Sequence, residues 1–303
     1  MSDKILVLGA AGMLGHVVFT ELVAREEWDV RATVWTAEEF ETLPPALRDR
    51  ITPRIDATRL ESLRAVLDSV QPDAVINCVG LIKQRPLAKD PVAALDLNAL
   101  LPHRLAQLCR AAGSRLIHIS TDCVFAGTKG KYTESDPADA EDLYGKTKFL
   151  GEVTERPCVT LRTSIIGHEL RDRFALIEWF LSQKSRVRGY RQAIYTGFPT
   201  VEFASILARY VLPRKDLFGL YHVSSDPISK YDLLQLVAER YHKDIAIDPD
   251  DAVREDRSLN SALFRRTTGY VPPEWPELVE KMHRHYVNSD LYQKLSGGTH
   301  AQF

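Results

Sequence analysis

The chain has 303 residues, 45% apolar and 26% charged, enough for one large core or two cooperating units. Its 39 Lys and Arg against 41 Asp and Glu leave a net charge of −2, so no basic field directs it toward nucleic acid or anionic lipid. No apolar run approaches membrane-spanning length, and the opening Met-Ser-Asp-Lys-Ile-Leu-Val-Leu-Gly enters a strand at once, without a signal-peptide layout.

Residues 4–8 predict a short buried strand that runs into Gly9-Ala10-Ala11-Gly12-Met13-Leu14-Gly15 and then into a helix-period run ending near 25. Strand, glycine loop and helix together form a dinucleotide cradle. Gly9 permits the tight turn, Gly12 lets backbone N–H groups approach a pyrophosphate, and Gly15 lets the helix pack closely on the strand. The helix N-terminus adds favourable electrostatics for phosphate. A purely structural turn is the alternative.

Residues 30–34 predict the second strand. A ribose-binding acid is expected roughly 20 residues after the glycines, yet the strand ends Thr33-Val34-Trp35-Thr36 and Asp29 comes too early. That absence tilts the cofactor toward NADPH, with NADH as the alternative, although no arginine follows to receive a 2′-phosphate. Residues 51–55 predict a third strand, followed by Asp56-Ala57-Thr58. Asp56 either bonds an adenine amine or, with Thr58, caps the helix 59–70. The fourth strand, 74–79, ends Asn77-Cys78-Val79-Gly80, small enough for a cofactor to lie over the carboxyl edge where open α/β sheets bind ligands. Leu81-Ile82-Lys83-Gln84-Arg85-Pro86 leaves on that edge, either as donors to an anionic substrate or as a solvated loop. A helix over 90–112 carries Asn98 and closes at Gly113.

The fifth strand, 116–119, opens into Ser120-Thr121-Asp122, and a glycine-interrupted loop then leads to Tyr144-Gly145-Lys146-Thr147-Lys148. A phenol and an ammonium four residues apart share a helix face. A fixed positive charge lowers a phenol's pKa, so Tyr144 is expected to exchange a proton with a carbonyl oxygen that Thr121 also bonds. Chance spacing on an exposed helix is the alternative. A sixth strand covers 158–162, and the β-α-β order predicts a parallel, doubly wound sheet with right-handed crossovers. Beyond it, helices are expected at 174–183, 201–212 and 231–241, the last from a Ser229/Asp232 capping box, with strands at 193–196 and 219–223. Residues 296–303 read as a frayed end. His103, His118 and His222 read as buried and satisfied, and Glu178 and Trp179 as a packed helix face, with the lining of a substrate lid as the alternative. Cys78, Cys109, Cys123 and Cys158 show no metal or redox spacing, which predicts reduced thiols and a cytoplasmic protein.

With these motifs in place, the chain resembles the extended short-chain dehydrogenase/reductases and, within them, the dTDP-4-dehydrorhamnose reductases. The likeness rests on Gly9-x-x-Gly12-x-x-Gly15, Ser120-Thr121-Asp122-x-Val-Phe-x-Gly127, Tyr144-x-x-x-Lys148-x-x-Gly-Glu152, Leu161-Arg-Thr-Ser164 and Gly219-Leu-Tyr-His-Val-Ser. It implies an α/β fold: a Rossmann sheet over 1–163 plus about 193–213, with a smaller α/β substrate-binding domain from about 164–192 and 214–303. It implies a catalytic trio of Thr121, Tyr144 and Lys148. The cofactor is expected at Gly9, Ala11, Gly12, Met13, Leu14, Gly15, Asp56, Ala57, Cys78, Val79, Gly80, Asn98, Ser120, Tyr144, Lys148, Thr163 and Ser164. The substrate is expected at Lys83, Gln84, Thr121, Asp122, Cys123 and Ile165, with no metal. The implied reaction is NAD(P)H-dependent reduction of a nucleotide-activated 4-keto-6-deoxy sugar for surface polysaccharide, with no membrane or nucleic-acid partner and with room for a homodimer. Cys123 stands where the rhamnose enzymes carry tyrosine, and Ile165 where they carry tryptophan, which suggests another sugar, such as a UDP-linked N-acetylated 6-deoxyhexos-4-ulose. Two alternatives stand beside this. One is an epimerase or dehydratase with retained NAD, for which Cys123 is a poor acid. The other is a non-catalytic NADP-binding regulatory subunit of the kind that partners an adenosyltransferase.

Overall fold

A computed structural model describes residues 2–82, 86–171 and 174–295, so Lys83 and Gln84 lie outside the described residues. In chain order the strands are β1 (Lys4–Leu8), β2 (Asp29–Thr33), β3 (Ile51–Thr52), β4 (Ala74–Asn77), β5 (Arg115–Thr121) and β6 (Cys158–Thr163). There follow β7 (Ile165–Ile166), β8 (Val187–Tyr195), β9 (Phe198–Pro199), β10 (Gly219–His222), β11 (Ile228–Ser229) and β12 (Ile247–Asp256).

Seven of these form one parallel sheet in the order β10-β6-β5-β4-β1-β2-β3. The order runs outward in both directions from β1 and β4, and the crevice at that reversal is where such sheets take ligands. The near-continuous apolar run of β1 is explained by burial on both faces. Ile5 and Val7 join the core under the helices Gly15–Ala24 and Thr200–Ile206, whereas Leu6 and Leu8 join the core under Leu60–Val70 and Leu101–Ala112. Each such side chain removed from water contributes roughly 1.5–3 kcal/mol.

Three elements differ from expectation for identifiable reasons. The helix predicted over 90–112 widens into a π-helical segment, Leu95–Leu100. There the Asn98 carbonyl meets Gly151, where an added Cβ would stand only 1.9 Å from the oxygen. Strand β8 is nine residues long rather than four because it pairs with β12, a strand that the reading missed. The β12 sequence, Ile-Asp-Pro-Asp-Asp-Ala-Val-Arg-Glu-Asp, lacks apolar alternation, and charge pairs Arg188–Asp250 and Arg191–Asp251 join it to β8. Strand β10 joins the large sheet beside β6 rather than the smaller three-stranded sheet β11-β8-β12.

Of the expected capping box the N-cap half is seen: Ser229 Oγ accepts the Asp232 N–H at 3.0 Å ahead of the helix Lys230–Arg240, and its hydroxyl donates to Asp232 Oδ2 at 2.6 Å. His118 and His222 are fully buried, but His103 lies on the exposed side of its helix, its Nε2 bonded to the Leu150 carbonyl. Among the described residues no helix is long and apolar enough to cross a membrane.

Candidate functional site

At the end of β1 the backbone turns at Gly9 with φ +80°, a region that only glycine enters without strain. The Gly12 N–H closes the turn on the Gly9 carbonyl at 3.1 Å. A Cβ at Gly15 would stand 2.1 Å from that carbonyl oxygen, so glycine is what lets the helix Gly15–Ala24 start against the turn. His16 Nδ1 bonds the Gly12 carbonyl at 2.8 Å and braces it from below. Gly12 is exposed, Ala11 and Met13 are half-buried, and the Leu14 side chain is in the core, where it offers a ligand only backbone.

The end of β4 completes this edge. A Cβ at Gly9 would touch Val79 Cγ2 at 2.9 Å, so the turn and the 78–80 segment abut. Gly80 is exposed, and a Cβ there would lie 3.9 Å from Lys148 Nζ. A glycine turn, a glycine-lipped strand end and a lysine thus line one edge, and these residues fit a dinucleotide. Burial pushes the Cys78 thiol up to about 12 and keeps it neutral.

Not every expected contact faces this edge. Asp56 Oδ1 accepts from Thr58 N and Oγ1, at 2.9 and 2.7 Å, while Asp56 N–H donates to Ser62 Oγ. These bonds shape the approach, beside Ala57, to the helix Leu60–Val70, whose N-cap is Arg59 without a side-chain bond. Asn98 holds Leu81 by both N–H and C=O, at 2.8 and 3.0 Å. Ser120 donates to Glu152 at 2.7 Å, and Thr163 is buried with its hydroxyl on the Ser164 carbonyl. These three side chains brace the walls of the cleft. At the end of β2, Glu39 accepts Trp35 N–H with one oxygen and Arg171 with the other, so a distant arginine does reach this strand end.

Asp142 caps the helix Leu143–Leu150 by accepting the Gly145 N–H at 2.7 Å. Gly145 lets that helix approach β5, since a Cβ there would stand 2.2 Å from the Cys123 carbonyl. Close approach sets the half-buried Tyr144 phenol in the neighbourhood of Thr121, which favours its ionised form. Thr121 Oγ1 also accepts Cys123 N–H at 3.1 Å and donates to Asp122 Oδ1 at 3.2 Å.

Lys148 shares the helix face but turns its Nζ to the Ile119 carbonyl, at 2.8 Å. Burial lowers its pKa to about 8, opposed by Glu152 and Cys78. The lysine charge is thus turned to a backbone carbonyl, and the phenol is not acidified as expected. Burial and the neighbouring Cys123, Asp122 and Asp142 push the Tyr144 phenol up, and Thr121 opposes them.

Further groups gather here, and among them sequence order hid Arg257 and Tyr195. Arg257, which follows β12, donates Nε to the Phe125 carbonyl at 2.8 Å, pairs with Glu255 at 2.7 Å, and sets Nη1 4.0 Å from Cys123 Sγ. The Tyr195 hydroxyl, buried near Asp122 and Ser164, closes no hydrogen bond of normal geometry. Ile165 lies half-buried in β7 next to Ser164. Behind β5, Arg162 and Glu152 form a two-pronged ion pair, both bonds 2.7 Å, with side chains 3% and 6% exposed. Glu152 was visible as a motif letter, eight residues past Tyr144, but nothing local signalled its partners. Glu178 bonds His168 at 2.6 Å, while Trp179 stays largely exposed.

A sequence profile described as RmlD substrate binding domain matches residues 3–288. The methionine adenosyltransferase 2 subunit beta of Mus musculus is 32% identical, over 94% of this chain and 91% of its own length. The dTDP-4-dehydrorhamnose reductase of Aggregatibacter actinomycetemcomitans is 25% identical, over 92% and 98% respectively. Among solved structures, the dTDP-4-dehydrorhamnose reductase of Bacillus anthracis in complex with NADP superposes with a TM-score of 0.77 at 19% identity, covering 94% of this chain and all of that one.

Proposed function

Because the chain belongs to the family of the RmlD substrate-binding domain, we propose that it reduces the 4-keto group of a nucleotide-activated 6-deoxy sugar with a nicotinamide dinucleotide. The observation that carries this reading is the grouping of Thr121, Tyr144 and Lys148 at the carboxyl edge of the sheet, beside the glycine turn. A bound reduced nicotinamide supplies the hydride. The residues of this chain do the rest. The Gly9–Gly15 turn holds the pyrophosphate by backbone N–H groups and the helix N-terminus. Lys148 would hold the ribose hydroxyls of the bound dinucleotide, and its charge there would favour the ionised phenol. Tyr144 gives its proton to the carbonyl oxygen as negative charge develops, and Thr121 hydrogen-bonds the same atom. We infer a division in which residues 1–163 and about 193–213 hold the dinucleotide and about 164–192 and 214–303, apart from β10, hold the sugar nucleotide.

Cys123 and Ile165 in place of larger aromatics support a bulkier sugar than the rhamnose precursor, such as a UDP-linked N-acetylated 6-deoxyhexos-4-ulose destined for surface polysaccharide. NADPH is the preferred reductant on this reading. Arg171 brings a cation to that end of β2, where it pairs with Glu39, and this supports a 2′-phosphate over a free ribose hydroxyl.

The test is oxidation of NADPH and NADH against freshly prepared 4-keto sugar nucleotides, for the native protein and Tyr144→Phe. Loss of the proton donor is expected to lower turnover by about 10²-fold or more while dinucleotide affinity is kept. Wild-type turnover in Tyr144→Phe would overturn the assignment. A second reading, a regulatory subunit that binds dinucleotide without turnover, is favoured by the mouse methionine adenosyltransferase subunit named above. Dinucleotide binding without turnover on any sugar, together with co-purification of an adenosyltransferase, would establish it instead.

A further inference from the structure

The glycine turn is braced from a distant part of the chain. His16, the second residue of the helix Gly15–Ala24, is 1% exposed and bonded through both ring nitrogens. Its Nδ1 lies 2.8 Å from the Gly12 carbonyl, and its Nε2 lies 2.5 Å from the hydroxyl of Tyr292, 276 residues along the chain. A carbonyl oxygen only accepts, so Nδ1 carries the ring proton. Burial lowers the His16 pKa to about 4. The ring is therefore neutral near pH 7, and Nε2 accepts the Tyr292 O–H.

Tyr292 is itself held in place. It lies in the helix Asp290–Leu295, 4% exposed, with its ring edge-on to His16 at 5.6 Å and 5.4 Å from both Tyr286 and His168. His168 is tied in turn to Glu178 at 2.6 Å and to the Tyr241 hydroxyl at 2.9 Å. His285, on the helix Trp275–Asn288, reaches Glu21 of the Gly15–Ala24 helix at 3.7 Å. The phenol thus sits in a packed aromatic cluster that aims its hydroxyl at His16.

The Gly12 carbonyl also takes the His16 backbone N–H, at 3.1 Å. In a planar trans peptide the Gly12 C=O and the Met13 N–H point opposite ways. Fixing that carbonyl toward the helix therefore fixes the Met13 N–H toward the mouth of the turn, the side on which a helix N-terminus receives an anion.

We propose that the helix Asp290–Leu295 sets the affinity of the glycine turn for a dinucleotide pyrophosphate, with Tyr292 and His16 as positioning residues. Both side chains are buried behind the turn and act through the orientation of one peptide. A turn already held in its binding orientation loses less conformational freedom when the ligand arrives. The inference rests on the dinucleotide reading of the turn, and it holds whether or not the protein turns over a sugar.

The experiment measures binding alone: NADPH, NADH, ADP and adenosine are each titrated against the full chain and followed by ligand NMR relaxation. Tyr292→Phe keeps the ring and removes the hydroxyl. It should weaken NADPH, NADH and ADP about fivefold, the worth of one hydrogen bond. His16→Asn offers an amide N–H to the Gly12 carbonyl in place of Nδ1 but leaves Tyr292 no acceptor. Its loss should match that of Tyr292→Phe, and combining the two should bring no further loss. His16→Phe, without either bond, should lose about 20-fold. Adenosine carries no pyrophosphate and should bind every variant as it binds wild type, which a general loosening of the fold would not allow. Tyr292→Phe decides the matter if the His16 variants fold poorly.

The proposal is overturned if Tyr292→Phe keeps wild-type dinucleotide affinity, if its loss adds to that of His16→Asn, or if adenosine weakens as much as ADP. A wild-type protein that binds neither dinucleotide overturns it together with the reading of the glycine turn. The expected losses in a protein that reduces no sugar support the proposal and remove only the reductase reading.

Discussion

Replacing Lys148 by methionine should make the folded protein more stable near pH 7 while abolishing turnover. The ammonium is buried, and burial lowers its pKa from an ordinary 10.5 to about 8. At 1.36 kcal/mol per pKa unit, keeping the charge at pH 7 costs about 3 kcal/mol of stability. Methionine matches much of the side-chain volume but removes the bond to the Ile119 carbonyl, a loss of about 1 kcal/mol. The net expectation is a gain of about 2 kcal/mol at pH 7.

The pH dependence carries the proof. Between about 8 and 10.5 the unfolded lysine binds a proton that the folded one has lost, so the wild-type protein gains stability as pH rises through that window. The advantage of Lys148→Met should therefore shrink and then reverse to about −1 kcal/mol once both states of the lysine are neutral. Urea unfolding of both proteins at pH 7 and near pH 10.5 measures this directly, because other titrating groups largely cancel in the difference. A variant that is less stable than wild type by the same amount at both pH values would refute the reasoning. Wild-type turnover should also decline as pH rises through about 8, as the ammonium that holds the ribose is lost.

Two other substitutions test the scaffold behind the trio. Gly145→Ala drives a Cβ to 2.2 Å from the Cys123 carbonyl, and relief requires the helix carrying Tyr144 to move. A loss of about 2 kcal/mol in thermal unfolding and a fall in kcat larger than the rise in KM are expected. Glu152→Gln leaves the Arg162 guanidinium buried without its carboxylate and should destabilise by about 3 kcal/mol in urea. Adding Arg162→Met should recover part of that loss, and no recovery would mean that the pair is not the source of it.

The sequence by itself determined whatever depends on near neighbours along the chain. The glycine turn follows from the backbone freedom of Gly9 and the absence of a Cβ at Gly15, both properties of single residues. The doubly wound sheet follows from the alternation of buried strands and helices, which leaves a parallel order and two helical layers. Thr121, Tyr144 and Lys148 were legible because strand ends and helix spacing put chemistry-bearing residues at one edge of such a sheet.

Only the tertiary structure decided which way those side chains turn. Lys148 and Tyr144 share a helix face, yet the lysine is drawn to the Ile119 carbonyl of β5, a partner 29 residues away that no helix spacing encodes. Ser120 and Asn98 have the polarity of ligand contacts, but their side chains bond Glu152 and Leu81. Arg257 arrives beside Cys123 from 134 residues away, and Arg171 reaches Glu39 from 132. The free energy of a hydrogen bond or a buried charge depends on what surrounds it once the chain has packed, and that company is a property of the fold rather than of any local run of residues.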